Sequence, residues 1–197
     1  MTHLLGLTGS IGMGKSTTSK MFQDLGVPVW DADAAVHRIY AKGGAAVEPI
    51  AAVFPDAIED GCVSRRKLKD LMAIDPTVLT LIEKIVHPLV AADRDAFRDS
   101  HHDPLIVFDI PLLFETGADA WLSSVLVVSV PYEVQRSRVL DRQGMTEAQF
   151  EAILARQMPD AEKRARADHI VETLNLDDTN AAVRQLIDKL SGPTKNA

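Results

Sequence analysis

The segment LLGLTGSIGMGKSTT, residues 4–18, limits the possible folds more sharply than any other part of this 197-residue chain. Glycine inside a regular element costs roughly 0.5–1 kcal/mol relative to alanine, so a cluster of glycines needs a backbone that other residues cannot adopt. Gly9 to Ser16 satisfies G-x-x-x-x-G-K-[ST] at every fixed position. The apolar run Leu4–Thr8 ahead of it reads as a buried strand. From Lys15 the pattern turns helical, with Met21, Phe22 and Leu25 on one face and Gly26 as the stop. Strand, loop and helix in this register describe a phosphate-binding loop. Its backbone N–H groups turn inward around the β-phosphate of a nucleotide, and the helix N-terminus adds partial positive charge. In that geometry Lys15 neutralises the β and γ oxygens, Ser16 ligates Mg²⁺ and Thr17 donates to the α-phosphate. The site belongs to a nucleotide.

Four further apolar segments have strand character: VPVWD (27–31), PLIVFDIP (104–111), SVLVVSVP (124–131) and the weaker DHIVET (168–173). They are apolar throughout rather than alternating, and helical stretches separate them. That pattern predicts an α/β fold with a five-stranded parallel sheet covered on both faces. TNAAVRQLIDKL (179–190) reads as a closing helix. The expected core comprises residues 1–33, 101–131 and 167–190.

Residues 34–100 read almost wholly as helix, with Ser64 capping RRKLKDLMA, Asp75–Pro76 starting a long helix and Pro88 interrupting it. A second helical insertion, 132–166, reads as two helices joined around Gly144, with TEAQ (146–149) as a capping box. Residues 191–197, SGPTKNA, are expected to be a disordered tail.

Composition narrows the partners. Hydrophobic residues make up 46% and charged residues 25%, enough for a sizeable core. A formal net charge of −7 argues against a nucleic-acid coat or an anionic membrane surface, though not against a small anionic ligand. No apolar run approaches the roughly 18 residues of a membrane span, and the N-terminus lacks the basic region of a signal peptide. Cys62 is a single cysteine without metal-ligand spacing around it. The expectation is a cytoplasmic, membrane-free protein, with a monomer as the default.

A phosphate loop does not by itself choose a reaction, so the other charged residues must. Asp31 and Asp33 end the second strand, where ligands of open parallel sheets bind. A carboxylate there can orient an acceptor hydroxyl and take its proton, and Asp33 is the candidate base. The competing role for Asp33 is to cap the helix starting at Ala34. Asp109 ends the third strand like the carboxylate that holds a water on Mg²⁺, while Glu115 has no evident role. Arg138 and Arg142 are four apart on a helix and share a face. Residues 134–166 carry seven of the chain's 21 Lys and Arg, which fits either a phosphate-neutralising lid or a solvated helix face.

Several motifs in order carry a resemblance: LTGSIGMGKST, DAD at 31–33, HPLV at 87–90, DIPLLFE at 109–115, Gln135 with Arg138 and Arg142, Gln157, and ADHIV at 167–171. Together they resemble the dephospho-coenzyme A kinase family. The resemblance implies a nucleoside-monophosphate-kinase-like P-loop core, an acceptor-binding helical region at 34–100 and a lid at 132–166. It implies transfer of the ATP γ-phosphoryl group to the ribose 3′-hydroxyl of dephospho-CoA, with Mg²⁺ accompanying ATP. Gly12, Met13, Gly14, Lys15, Ser16 and Thr17 then match the ATP phosphate loop. Asp33 matches the base, Arg138 a phosphate-contacting arginine and Arg142 its neighbour on the nucleotide. Arg65, His87, Leu112 and Leu113 fall on the acceptor side, and Ser16 with Asp109 (through water) on the metal. The chain departs from the family pattern at Glu172-Thr173-Leu174-Asn175, near the adenine in such folds. Another small-metabolite or nucleotide kinase on the same core is the alternative. A guanine-dependent switch is disfavoured because no N-K-x-D stretch is present.

Overall fold

The apolar run at the N-terminus forms β1 (His3–Thr8), and the glycine loop leads directly into α1 (Lys15–Asp24). There follow β2 (Val29–Asp31), α2 (Ala32–Tyr40), α3 (Val47–Val53), β3 (Ile58–Glu59), β4 (Cys62–Val63), α4 (Arg65–Ile74) and α5 (Thr77–Ser100). The chain continues through β5 (Leu105–Asp109), β6 (Ser124–Ser129), α6 (Tyr132–Leu140), α7 (Glu147–Leu154), α8 (Asp160–Arg166), β7 (His169–Glu172) and α9 (Leu176–Leu190). These come from a computed structural model that describes residues 2–192, so residues 193–197 of the expected disordered tail lie outside the described residues. Among the described residues no helix is long and apolar enough to cross a membrane.

Five strands form one parallel sheet in the order β2-β5-β1-β6-β7. The strand residues explain why both faces are covered. Leu5, Leu7, Leu126 and Val128 point into a core built with Met21 and Phe22 of α1 and Val183 and Leu186 of α9. The alternate positions Val125 and Val127 enter a second cluster with Leu113 and Phe114, against which Leu122 and Met158 pack. The unbroken apolar run Val125–Val128 of β6 is therefore required by two cores, one on each face. The strand order reverses at β1, whose neighbours are β5 and β6, and an α/β sheet binds its ligands at such a switch point.

The chain divides into two compact units, one from residues up to Trp30 together with those from His101 onward, the other Asp31–Ser100. The second unit has its own core around Ile39, Ile50, Leu68, Val78, Ile82 and Val86. Within it Arg38 on α2 pairs with Asp93 on α5 at 2.5 Å.

Four local expectations change. Residues 34–100 are not wholly helical: β3 and β4 pair antiparallel around Asp60 (φ 51) and Gly61 (φ 80). An Asp-Gly pair between short strands is a hairpin signal, here diluted by the surrounding helical pattern. Pro88 lies inside α5 without ending it. Residues 132–166 hold three helices rather than two, because Pro159 starts α8 after a break at Gln157–Pro159. The closing helix begins earlier, at Leu176, with Asn175 Oδ1 accepting from the Asp178 amide at 2.9 Å. The caps at Ser64 and Thr146 form, the second as a full capping box.

Gly6 in β1 allows the loop after β5 to lie against the sheet. A Cβ there would come within 2.4 Å of Leu122 Cδ1 and 2.6 Å of Leu113 Cδ1. Gly6→Ala should destabilise the protein by about 1–3 kcal/mol through overpacking. At about 2–4 °C per kcal/mol for a chain of this size, a thermal melt resolves the loss.

Candidate active site

The phosphate loop spans the turn between β1 and α1. Gly12 (φ 80) and Gly14 (φ 86) both take the left-handed conformation. At Gly14 a Cβ would also stand 2.6 Å from the Thr173 hydroxyl, so conformation and space both demand glycine. Among the described residues, the N–H groups of Gly14, Lys15, Ser16 and Thr17 have no protein acceptor. Those are the unpaired amides of a helix start, and they attract an anion. The Ser16 and Thr17 side chains are exposed beside them.

Met13 plays a different part. Its amide donates to the Ser10 carbonyl at 3.1 Å, and its side chain is buried, with Sδ accepting from the Val130 amide at 3.2 Å. The Met13 amide thus closes a turn within the loop.

Lys15 Nζ lies 2.5 Å from Asp109 Oδ1, and the Asp109 side chain is 1% exposed. The register of β1 against β5 places Leu7 opposite Asp109, so the two strand ends lie side by side and the loop returns the lysine to the carboxylate. A buried carboxylate needs such a partner, because leaving it unpaired costs about 3–5 kcal/mol. No cluster of three or more His, Cys, Asp or Glu that could hold a metal occurs among the described residues. Ser16 and Asp109 offer one hydroxyl and one carboxylate, a set suited to a cation that draws its other ligands from phosphates and water.

Arg138 and Arg142 line one cavity of about 340 Å³ with Gly12, Gly14, Thr17, Thr18 and residues 173–176. The guanidinium of Arg138 donates to the Thr173 carbonyl at 2.6 Å and to its hydroxyl at 3.2 Å. The same hydroxyl donates to the Met13 carbonyl at 2.8 Å. Segment 172–175, the departure from the family pattern, thus joins the arginine to the loop.

Gln135 and Gln157, to which the sequence assigns no role, both grip the loop at Ile11. Gln135 Nε2 donates to the Ile11 carbonyl at 2.8 Å, and the Ile11 amide donates to Gln157 Oε1 at 3.1 Å. Glu115 also finds its place. Its Oε1 accepts from the Met158 amide at 2.7 Å and lies 2.9 Å from Lys163 Nζ as an ion pair, and the Lys163 side chain is wholly buried. Burial pushes the Glu115 carboxyl pKa up, but hydrogen bonds from Lys163 and the Met158 amide, with the lysine charge, outweigh it and hold the group below the usual glutamate range.

The family-level comparisons agree with this geometry. A dephospho-CoA kinase family model matches residues 3–178. The chain belongs to the dephospho-CoA kinase family. A dephospho-CoA kinase of Cereibacter sphaeroides is 61% identical over 183 residues, 93% of each chain. Among solved structures, TT1252 from Thermus thermophilus superposes with a TM-score of 0.83 at 34% identity, covering 97% of this chain and 99% of that one. The dephospho-CoA kinase from Campylobacter jejuni gives 0.71 at 25%, covering 97% and 98%.

The remaining expected residues divide by location. Leu113 is fully buried in the core, whereas Leu112 is 41% exposed, so of the two only Leu112 has its side chain at the surface. Asp31, Asp33, Arg65 and His87 lie in the second unit. The cap of α2 is Asp31, whose Oδ1 accepts from the Ala34 amide at 2.9 Å. Asp33 stands in the first turn, exposed, which removes the capping role considered for it. Arg65 Cζ is 5.8 Å from the centre of the Tyr40 ring, and His87 is exposed on α5.

The Glu115 shift predicts an acid dependence. A carboxyl with a lowered folded-state pKa contributes stability above its unfolded value, and that contribution is lost as pH falls through the folded value. Thermal melts should therefore fall more steeply below the ordinary glutamate range in the native protein than in the Glu115→Leu/Lys163→Met variant.

Proposed function

We infer that the protein transfers the γ-phosphoryl group of ATP to the ribose 3′-hydroxyl of dephospho-CoA, giving CoA and ADP. The observation that carries this reading is the phosphate loop with unpaired helix-start amides and Lys15 held on Asp109, in a chain of the dephospho-CoA kinase family. The free amides take the phosphate oxygens. Lys15 turns from its carboxylate partner toward the β and γ oxygens as nucleotide enters. Ser16, with Asp109 through water, would hold Mg²⁺ brought with the nucleotide, and the ion would supply charge neutralisation on the phosphates.

The acceptor oxygen forms a bond to Pγ while the bond from Pγ to the β–γ bridging oxygen breaks, and ADP leaves. Asp33 takes the hydroxyl proton. Phosphoryl transfer asks the protein mostly for positioning and for neutralisation of charge on the equatorial oxygens. Arg138 and Arg142, at the nucleotide cavity, supply the second. Arg65, His87 and Leu112 are assigned to the acceptor, and the protein acts as a monomer in the cytoplasm.

A coupled ADP-release assay with ATP and Mg²⁺ tests the reading. Dephospho-CoA should support turnover where adenosine, AMP and pantetheine phosphate do not, with a 3′-phosphate on the product by mass spectrometry and phosphorus NMR. ADP release with another acceptor alone would overturn the substrate and leave the phosphate loop standing. Asp33→Asn should lower kcat by about 10²–10⁴-fold, the usual contribution of a general base, with little change in KM for ATP. Near-native turnover would remove Asp33 from that role.

A further inference from the structure

We propose that Glu115 is a positioning residue for ATP binding, acting through the 157–158 peptide on the phosphate loop rather than by touching nucleotide. Two adjacent residues have opposite attachments. Gln157 holds the Ile11 amide through its side chain, and Met158, the next residue, is held by Glu115 through its amide. Besides its side-chain bond, position 157 is held by its amide donating to the Leu154 carbonyl at 3.0 Å. It falls in the break between α7 and α8, where no helix holds the backbone. Glu115 supplies the fixed point, because Lys163 pins its carboxylate and the Lys163 side chain is fully buried.

The Glu115 end is itself attached to β1. The Thr8 hydroxyl donates to the Pro111 carbonyl at 3.1 Å, at the start of the loop that carries Glu115. A closed path therefore runs from Thr8 through Pro111, Glu115, Met158 and Gln157 to Ile11, and back along the chain to Thr8. On the far side α8 is anchored separately, by Ser129 Oγ donating to Asp160 Oδ2 at 2.8 Å. Charge at Glu115 and acceptance at Glu115 consequently do different jobs. The charge satisfies Lys163. The acceptor oxygen sets Gln157, and Gln157 sets the peptide ahead of Gly12 and Gly14.

This inference rests on the phosphate loop being the nucleotide site, and it is independent of the acceptor. The test therefore measures binding of Mg²⁺ with a non-hydrolysable ATP analogue by calorimetry, alongside thermal stability. Glu115→Leu/Lys163→Met removes both charges and the acceptor; it should keep most of the stability yet weaken analogue binding roughly 3–10-fold, the scale of one lost hydrogen bond. Glu115→Gln should show the reverse, losing stability to the unpaired lysine while its amide oxygen still receives Met158 and affinity holds. Gln157→Ala should weaken binding to the same degree. Combined with the double variant, it should add nothing further, since both break one path.

Hydrogen exchange at the Ile11 amide gives a readout independent of affinity. Protection should fall in Gln157→Ala and in the double variant, and persist in Glu115→Gln. Native affinity in the double variant overturns the proposal, as do multiplicative effects with Gln157→Ala or affinity falling in step with stability in Glu115→Gln. Should the double variant fail to fold, Ile11 exchange in Glu115→Gln decides: unchanged protection supports the proposal and lost protection overturns it. Failure of dephospho-CoA as acceptor would leave all these binding results untouched.

Discussion

The buried contact between Lys15 and Asp109 organises the catalytic edge of the sheet. A carboxylate 1% exposed at the end of β5 requires a counter-charge, and the phosphate loop delivers one through Lys15. That requirement couples three features: the parallel register of β1 and β5, the left-handed glycines that turn the loop back, and a helix whose first amides remain unpaired. The same pair explains how an anion enters. In the proposed reaction a triphosphate offers the lysine a partner of higher charge than this carboxylate.

Around that pair the loop is held from outside. Ile11 is gripped at both its N–H and its carbonyl, Met13 is packed into the core, and Thr173 secures the Met13 carbonyl. Holding the outer groups of a glycine-rich turn lowers its freedom before ligand arrives, so less ordering remains to oppose binding. Gln135 comes from α6 and Gln157 from the break before α8, so the arginine-bearing segment is tied to the phosphate site at both ends. Arg138 follows suit through Thr173.

How much was legible beforehand depends on the range of the signal. The phosphate loop, the strand cores and the caps at Ser64 and Thr146 are local patterns, read within a few residues, and they form where expected. The misreadings share a cause. Pro88 sits inside α5 because the helix around it is held by packing against its own unit's core. The Asp60–Gly61 hairpin was hidden among helical residues, though its dipeptide is a recognised signal. Leu112 and Leu113 look equivalent in sequence, but the space left by Gly6 takes Leu113 into the core and leaves its neighbour outside.

By itself the sequence determined the nucleotide chemistry, since glycine spacing, lysine and hydroxyls fix a backbone shape that only phosphate explains. It also determined the parallel sheet, through strands apolar on both faces. Only the tertiary structure decided what Glu115, Lys163, Gln135 and Gln157 do. Lys163 lies in a strongly basic stretch that reads as a solvated face, yet it is wholly buried against Glu115. The physical reason is that burial and hydrogen-bond partnership of a polar side chain depend on segments distant in the chain, whereas periodicity and loop chemistry are written into neighbours.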